Sequence, residues 1–432
     1  MTLGHRPAVL MTAILVVLAA ATPARASPGD LDPGFGVAGT TLIGFPAGFD
    51  AYFADLAVQP DGMIVVLGDL QASAAGAPLP PPLSPKTSGE GLVIVRLTAD
   101  GQADGSFGDG GVVAVGGSER ALDVVIDDQS RIVASGVIPA ADGGRAISVI
   151  RLLPNGSLDP SFGSGGRVTT RSTGADTWAA AIQPDGKIVA AGRLGHKAEL
   201  RRYEADGSVD RTFGLRGRVS VPRVREGFTD VELLPDGRLL AVGGALDSTI
   251  LIARFDADGS LDQTFAGDGT RRTGFGHFPA SFPIILGIDG GGRVVVMVGE
   301  VFVPAFGLAV YTSNGQLDRT FRGRGTAIVK VPEATLGSVA GTLQADGKIV
   351  VTTADLSPGG DLALGFGLHR LLPTGRADPS FGRGGRVFTD FEATDDLTSN
   401  ILPQTDGRLV VAGISWLSDG SSGLRVARYL AD

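Results

Sequence analysis

The sequence predicts an all-β protein, a seven-bladed β-propeller with four antiparallel strands per blade, on three observations. An Asp-x-x-Phe signal recurs at Asp32/Phe35, Asp104/Phe107, Asp159/Phe162, Asp210/Phe213, Asp262/Phe265, Asp318/Phe321 and Asp378/Phe381. Its mean spacing is about 58 residues, within the range of stacked or radial repeat arrays. A second signal, typically Gln-Pro-Asp-Gly before an apolar run, alternates with it at Asp61-Gly62, Asp185-Gly186, Asp236-Gly237, Asp346-Gly347 and Asp406-Gly407, and degenerates to Gln129-Ser130 and Gly291-Gly292. Beyond the first 26 residues no window holds the 3.6-residue apolar spacing of a helix.

In chain order, residues 1–26 read as a cleaved secretory signal peptide. Arg6 precedes an apolar run from Ala8 to Ala21, and Ala24-Arg25-Ala26 is a small-x-small cleavage pattern. The run is shorter than the roughly 20 residues that span a bilayer, and no other stretch is long enough, so no membrane span is expected. Without Cys there is no lipobox and no disulfide, so the core has to hold without covalent staples. Residues 27–432 carry 35 basic against 46 acidic residues, a net charge of −11. Phosphate binding needs a basic face, which excludes nucleic acid as a partner class.

The remaining 406 residues are expected to form one propeller domain, with an insertion loop at about 70–90. The third unit shows the blade. Trp178–Ile182 is a short apolar run turned by Pro184-Asp185-Gly186; Lys187–Gly192 and Glu199–Tyr203 follow, and a turn at Asp206-Gly207 leads to Gly217–Val221. Short runs punctuated by Asp-Gly are hairpin signals, and four antiparallel strands repeated radially make a propeller. The chain ends set the phase. Arg428–Asp432 breaks off at the turn from which Gly29–Gly36 resumes. Residues about 37–44 are therefore expected to supply the outermost strand of the last blade, closing the ring and hiding sheet edges. The strand before each Pro-Asp-Gly turn then becomes the innermost one. A monomer is expected.

The run Arg151–Val168, with its Asn-Gly-Ser-Leu-Asp-Pro-Ser-Phe-Gly core, and Gln183–Gly192 resemble the delta-60 repeat of secreted bacterial proteins, and more loosely NHL-type blades. The resemblance covers the whole of residues 27–432. It implies a propeller and export, to the periplasm or the extracellular space, and carries over no shared reaction and no catalytic residue.

The repeated motifs read as scaffold. An Arg stands eight residues before the Asp at Arg96, Arg151, Arg202, Arg254 and Arg370, with Arg428 expected to meet Asp32 and Val310 breaking the series. Catalysis does not need one pair in almost every blade. An Asp tying a turn by Asx-type bonds, with an Arg partner and a Phe plugging the gap between blades, explains the repetition. Asp256, Asp258 and Asp262 resemble a calcium loop, but their counterparts lack the acidic pair. Glycine-rich stretches such as Phe162–Gly166 complete no nucleotide-binding motif, and no H-E-x-x-H or G-x-S-x-G occurs. No cofactor, metal or catalytic residue is assigned, and His196, His277 and His369 do not suggest a shared metal site.

Function is therefore expected where the copies differ, on the face of the second-to-third-strand loops. The sequence favours a secreted, non-catalytic scaffold binding a protein or glycan through Tyr52, Phe275, His277, Phe278, Phe302 and Trp416, loops on a rigid frame being common carriers of function. The alternative is a propeller enzyme, a hydrolase, lactonase or sugar-oxidising type. Asp55, Asp123, Asp230 and Asn400 would then stand at the mouth of the central channel.

Overall fold

A computed structural model of the protein describes residues 26–431 apart from 46–48, 73–89, 117–119, 140–144, 172–174, 195–196, 223, 225–226, 246–247, 279–281, 300–302, 332–333, 357–363, 392–394 and 419. The signal-peptide run, most of the Pro-rich insertion, His196 and Phe302 lie outside the described residues. Among those described, every regular element is a strand. β1 is Thr40–Gly44. Five four-stranded antiparallel sheets then follow the chain. The first is β2–β5 (Phe49–Val58, Ile64–Ala72, Glu90–Leu97, Val112–Gly116) and the second β6–β9 (Arg120–Ile126, Ile132–Pro139, Arg145–Leu152, Arg167–Arg171). The third is β10–β13 (Ala175–Ile182, Ile188–Leu194, Lys197–Tyr203, Arg218–Pro222) and the fourth β14–β17 (Asp230–Leu233, Leu239–Gly244, Thr249–Phe255, Thr270–Gly274). The fifth is β18–β21 (Ile284–Ile288, Val294–Gly299, Ala305–Tyr311, Thr326–Lys330).

The remaining strands are β22–β25 (Ala334–Leu343, Ile349–Leu356, Leu364–Leu371, Arg386–Thr389) and β26–β28 (Asp395–Pro403, Leu409–Trp416, Ser422–Tyr429). With β1 they form an eight-stranded sheet, whose two halves meet through one parallel bridge between Leu364 and Asp395. β1 pairs antiparallel with β28, Thr40 opposite Ala427 and Gly44 opposite Gly423. That is the outer strand expected from the opposite chain end. All-β four-stranded units of this kind are consistent with propeller blades. The first strands of successive units lie against one another, β2 on β6, β6 on β10, β10 on β14, β14 on β18, β18 on β22 and β22 on β26, and β26 also meets β2.

The central strands are Val- and Ile-rich runs buried on both faces, such as Ile64–Leu67 and Leu239–Val242. Each such run packs against the neighbouring units, and the apolar clusters join adjacent sheets: one contains Val189 and Leu200 of the third with Leu239 and Leu251 of the fourth. Asp-Gly turns reverse the first hairpin in most of the units. At the first turn of the third sheet, Gly186 adopts φ +80° and donates its N–H to the Gln183 carbonyl at 2.8 Å, a left-handed conformation open to glycine without a Cβ penalty.

The Asp-x-x-Phe unit is a joint between sheets. Asp159 accepts from Arg151 Nε at 2.8 Å on one oxygen, and from the Ser161 N–H and hydroxyl at 2.9 and 2.6 Å on the other. Arg151 also donates across to the Ala205 carbonyl of the third sheet at 2.6 Å, and its guanidinium lies 4.5 Å from the Phe162 ring centre. Phe162 is fully buried, under Gly207 of that same sheet, where a Cβ would stand 3.0 Å from the ring. The six expected Arg–Asp pairs all form, including Arg428 Nε to Asp32 at 2.9 Å. The Arg also reaches the next sheet each time, Arg370 to the Ala431 carbonyl and Arg428 to that of Ala99. Burial pushes the Asp210 carboxyl up, but bonds from Thr212 and Lys187 and the charge of Arg202 hold it well below the usual range. Where Val310 interrupts the series, Arg293 supplies the cation, 3.6 Å from Asp318.

Candidate functional site

Two places collect the residues singled out above. The first is a cavity of about 520 Å³, lined by residues of β2, β6, β10, β14, β18, β22 and β26. Asp55, Asp123, Asp230 and Asn400 all line it. They are register equivalents, each opposite the fourth residue of its second strand: Leu67, Ser135, Val242 and Ala412. Their hydrogen bonds show what they do there. Asp55 accepts the Val124 N–H at 2.8 Å, Asp123 that of Ala180 at 2.7 Å and Asp230 that of Ile285 at 2.7 Å. Each carboxyl thus latches onto the first strand of the following sheet. Asn400 donates to the other oxygen of Asp55 at 2.5 Å, and the second oxygen of Asp230 takes the Val231 N–H at 2.7 Å.

Each of these carboxyls keeps some access to the cavity, yet most of its surroundings are protein, and desolvation disfavours the charged form. Burial raises Asp55; burial and then the Asp55 charge raise Asp123 well above the usual carboxylate range. Burial brings Asp230 to about 6. Glu232, two residues on along β14 and so on the same strand face, is pushed up to about 8 by burial and then by Asp230. No hydrogen bond to the Glu232 carboxyl occurs among the described residues. The sequence reading missed it. Its signal was a charged residue two positions from Asp230 in a strand whose counterparts carry Ala57 and Ala181. Trp178, half-buried at the bulge of β10, was missed as well; its ring meets Phe282 edge-on at 5.6 Å, and Phe282 is 50% exposed.

The second place is the variable-loop face. Tyr52 is 43% exposed and stands in a half-open cleft of about 540 Å³ with Asp69, Gln71, Arg120 and Ile414. Asp69 is fixed there by the Ala121 N–H at 2.7 Å. His277 is exposed, on the segment after β17. Trp416 ends β27 half-buried, packed against the apolar cluster that includes Ile414 and Leu424. Two expected surface aromatics are corrected. Phe275 and Phe278 are only 6% and 8% exposed and belong to the core between the fourth and fifth sheets, with Ile250, Ile285 and Val298. Phe275 lies against the fifth sheet, where a Cβ at Gly307 would stand 3.0 Å from its ring.

Among the described residues, no group of three His, Asp or Glu side chains is arranged to hold a metal ion. In the loop that resembles a calcium site, Asp258 accepts the Ser260 N–H and hydroxyl, and Asp262 accepts those of Thr264 together with the Arg254 Nε–H. Those oxygens are used by the turns themselves. No helix among the described residues is long and apolar enough to cross a membrane.

Comparison with known proteins bears on the fold. No curated protein matches the chain in sequence. Solved structures similar to it include a protein of unknown function from Bacteroides caccae, 15% identical, with a TM-score of 0.39 over 63% of this chain and 80% of that one. Another is described as a candidate gluconolactonase, 13% identical, with a TM-score of 0.37 over 90% and 98%. A third is the Dos1 propeller, 10% identical, with a TM-score of 0.39 over 70% of each. Residues 131–162, 183–213, 234–265 and 404–432 match the family model described as "Domain of unknown function (DUF5122) beta-propeller". Three of these segments begin on the first residue of a hairpin turn, Gln183, Leu234 and Gln404, and the other just after one, at Arg131; together they support a β-propeller family for this chain.

Proposed function

We propose that this chain is an exported, seven-bladed β-propeller, released by cleavage after Ala26, and that it binds a glycan through its variable-loop face. The pairing of β1 with β28 and the Arg428 bond to Ala99 support a ring closed by both chain ends. The observation that carries the binding reading is the Tyr52 cleft. An exposed aromatic ring offers a stacking platform for a pyranose, and Asp69, Gln71 and Arg120 beside it offer acceptors and donors for hydroxyls. The delta-60 resemblance supports export and is silent on ligand.

A second reading, an enzyme of hydrolase or lactonase type, draws on one observation: Asp230 and Glu232 face the channel with carboxyls raised to about 6 and about 8, a range suited to acid–base work. Against it stands the engagement of Asp55, Asp123 and Asp230 by backbone N–H groups. An oligosaccharide array probed with the mature protein separates the two. Tyr52→Ala is expected to weaken glycan binding at least about tenfold, the scale of a hot-spot residue, with an unchanged melting temperature. Normal binding by that variant, or hydrolysis of a sugar lactone abolished by Glu232→Gln, overturns the proposal.

A further inference from the structure

The fourth sheet lacks a bridge that the first and the last strand units carry, and a cleft stands in its place. The first residue of the Gln-Pro-Asp-Gly turn spans two sheets: Gln404 donates from Nε2 to the Gly62 carbonyl of the next turn at 3.2 Å, and Gln59 to that of Ser130 at 3.4 Å. In two sheets the amide oxygen accepts from that sheet's own arginine, whereas the oxygens of Gln59 and Gln344 are buried without a hydrogen bond. Arg428 Nη1 donates to Gln404 at 3.2 Å, and Arg202 Nη1 to Gln183 at 3.1 Å. In the fourth sheet Leu234 occupies this position. Leucine ends one atom short of the amide nitrogen and oxygen, and the facing turn is Asp289-Gly290-Gly291-Gly292, three residues without side chains. A half-open cleft of about 630 Å³ lies between Leu234 and that turn, within the size range of small-molecule sites.

We propose that this cleft binds a small, uncharged, mainly apolar molecule carrying a carboxamide, whose amide takes the place of the missing glutamine head. The walls are apolar: Leu234, Pro235, Leu240, Phe265, Ile288 and Val294. The polar requirements are those the glutamine meets elsewhere. Arg254, which lines the cleft, binds Asp262, Thr264 and the Ser313 carbonyl. The Nη1 hydrogen that Gln183 and Gln404 accept in their own sheets faces a leucine here. A ligand carbonyl accepts it, and the ligand N–H₂ donates toward the Gly292 carbonyl, the counterpart of Gly62 and Ser130. Where the cleft meets the channel, Glu232 supplies a carboxyl without a protein hydrogen bond, and one held largely neutral at pH 7 both donates and accepts. The charged groups on the walls are already paired, Arg238 with Asp236 and Asp262, Arg254 with Asp262 and Asp289 with Arg293, so an ion of either sign finds no free counter-charge there. The inference stands apart from the Tyr52 cleft, which lies at the opposite end of the strands.

Benzamide is the probe, with benzoate and benzylamine as its charged counterparts. Saturation-transfer NMR and calorimetry on the mature protein are expected to show saturable one-to-one binding of benzamide, with both ions at least tenfold weaker. Leu234→Gln, which restores the internal amide, is expected to weaken benzamide at least tenfold without lowering the melting temperature. The three-probe comparison on wild-type protein stands without the variant. The proposal is overturned if benzamide shows no saturable binding, if benzoate or benzylamine matches it, or if a folded Leu234→Gln protein binds benzamide as tightly as wild type.

Discussion

Replacing Phe213 by Ala tests whether the repeated phenylalanine joins the sheets. The ring is fully buried, packed with Val219 of its own sheet and Leu239 and Ala253 of the next. The Arg202 guanidinium lies 4.5 Å from its centre. A buried aromatic side chain removes about 150–250 Å² from water, which at about 25 cal/mol per Å² corresponds to about 4–6 kcal/mol. Alanine retains part of this, and measured Phe→Ala losses in cores run at about 3–5 kcal/mol. We expect that range for Phe213→Ala in urea denaturation followed by fluorescence and far-UV circular dichroism. Arg202 keeps its bonds to Asp210 and Ala257, so lost stacking adds little to the total.

The partner of the ring makes the test sharper. Gly259 of the fourth sheet has φ +88°, and a Cβ there would stand 2.8 Å from the Phe213 ring; at Gly237, φ +84°, a Cβ would meet nothing. Gly237→Ala is expected to cost only backbone strain, on the order of 1 kcal/mol. Gly259→Ala adds the collision. In the double variant Phe213→Ala/Gly259→Ala the collision with the ring vanishes and only that with Val219, also at 2.8 Å, remains, so its cost should fall below the sum of the singles by at least about 0.5 kcal/mol. A loss under about 1 kcal/mol for Phe213→Ala, or strictly additive effects in the pair, would refute the view that this ring is the joint.

Two further expectations concern stability. Asp230 and Glu232 have folded-state pKa values of about 6 and about 8, above their ordinary values, so the folded protein holds those protons more tightly than the unfolded chain. Linkage then makes stability fall as pH rises from about 4 through about 8; Glu232→Gln, followed by melting temperature against pH, should flatten the upper part of that fall, and an unchanged profile would rule out a titrating Glu232. Deleting residues 27–44 removes β1 and the Asp32 partner of Arg428, leaving a buried cation unpaired and β28 with an open edge. A large drop in melting temperature with aggregation is expected, and a truncated protein that melts like the full chain would disprove the pairing of the two chain ends.

The local devices were legible in the sequence because they repeat and act over a few residues. Asp159 needs its hydroxyl neighbour two positions on and Gly186 needs a left-handed turn, so composition and spacing carry the information for each. The Arg–Asp offset of eight and the strand supplied by residues near 40 were readable for the same reason, periodicity turning a weak local signal into a strong one. What tertiary structure alone decided lies across the gap between sheets. Arg151 reaches the Ala205 carbonyl, and Asp55 takes the Val124 N–H. Both partners are backbone groups more than 50 residues away, and a backbone group has no sequence identity to detect. The same holds for burial. Phe275 and Phe278 stand in a variable segment, where aromatics are readily read as surface anchors, until the apolar residues of the fourth and fifth sheets enclose them. Leu234 is the clearest case. In one dimension it is an apolar residue in a slightly irregular turn; only with the Gly290–Gly292 turn set opposite does the missing amide become an open cleft, because the space a side chain leaves empty is a property of both walls.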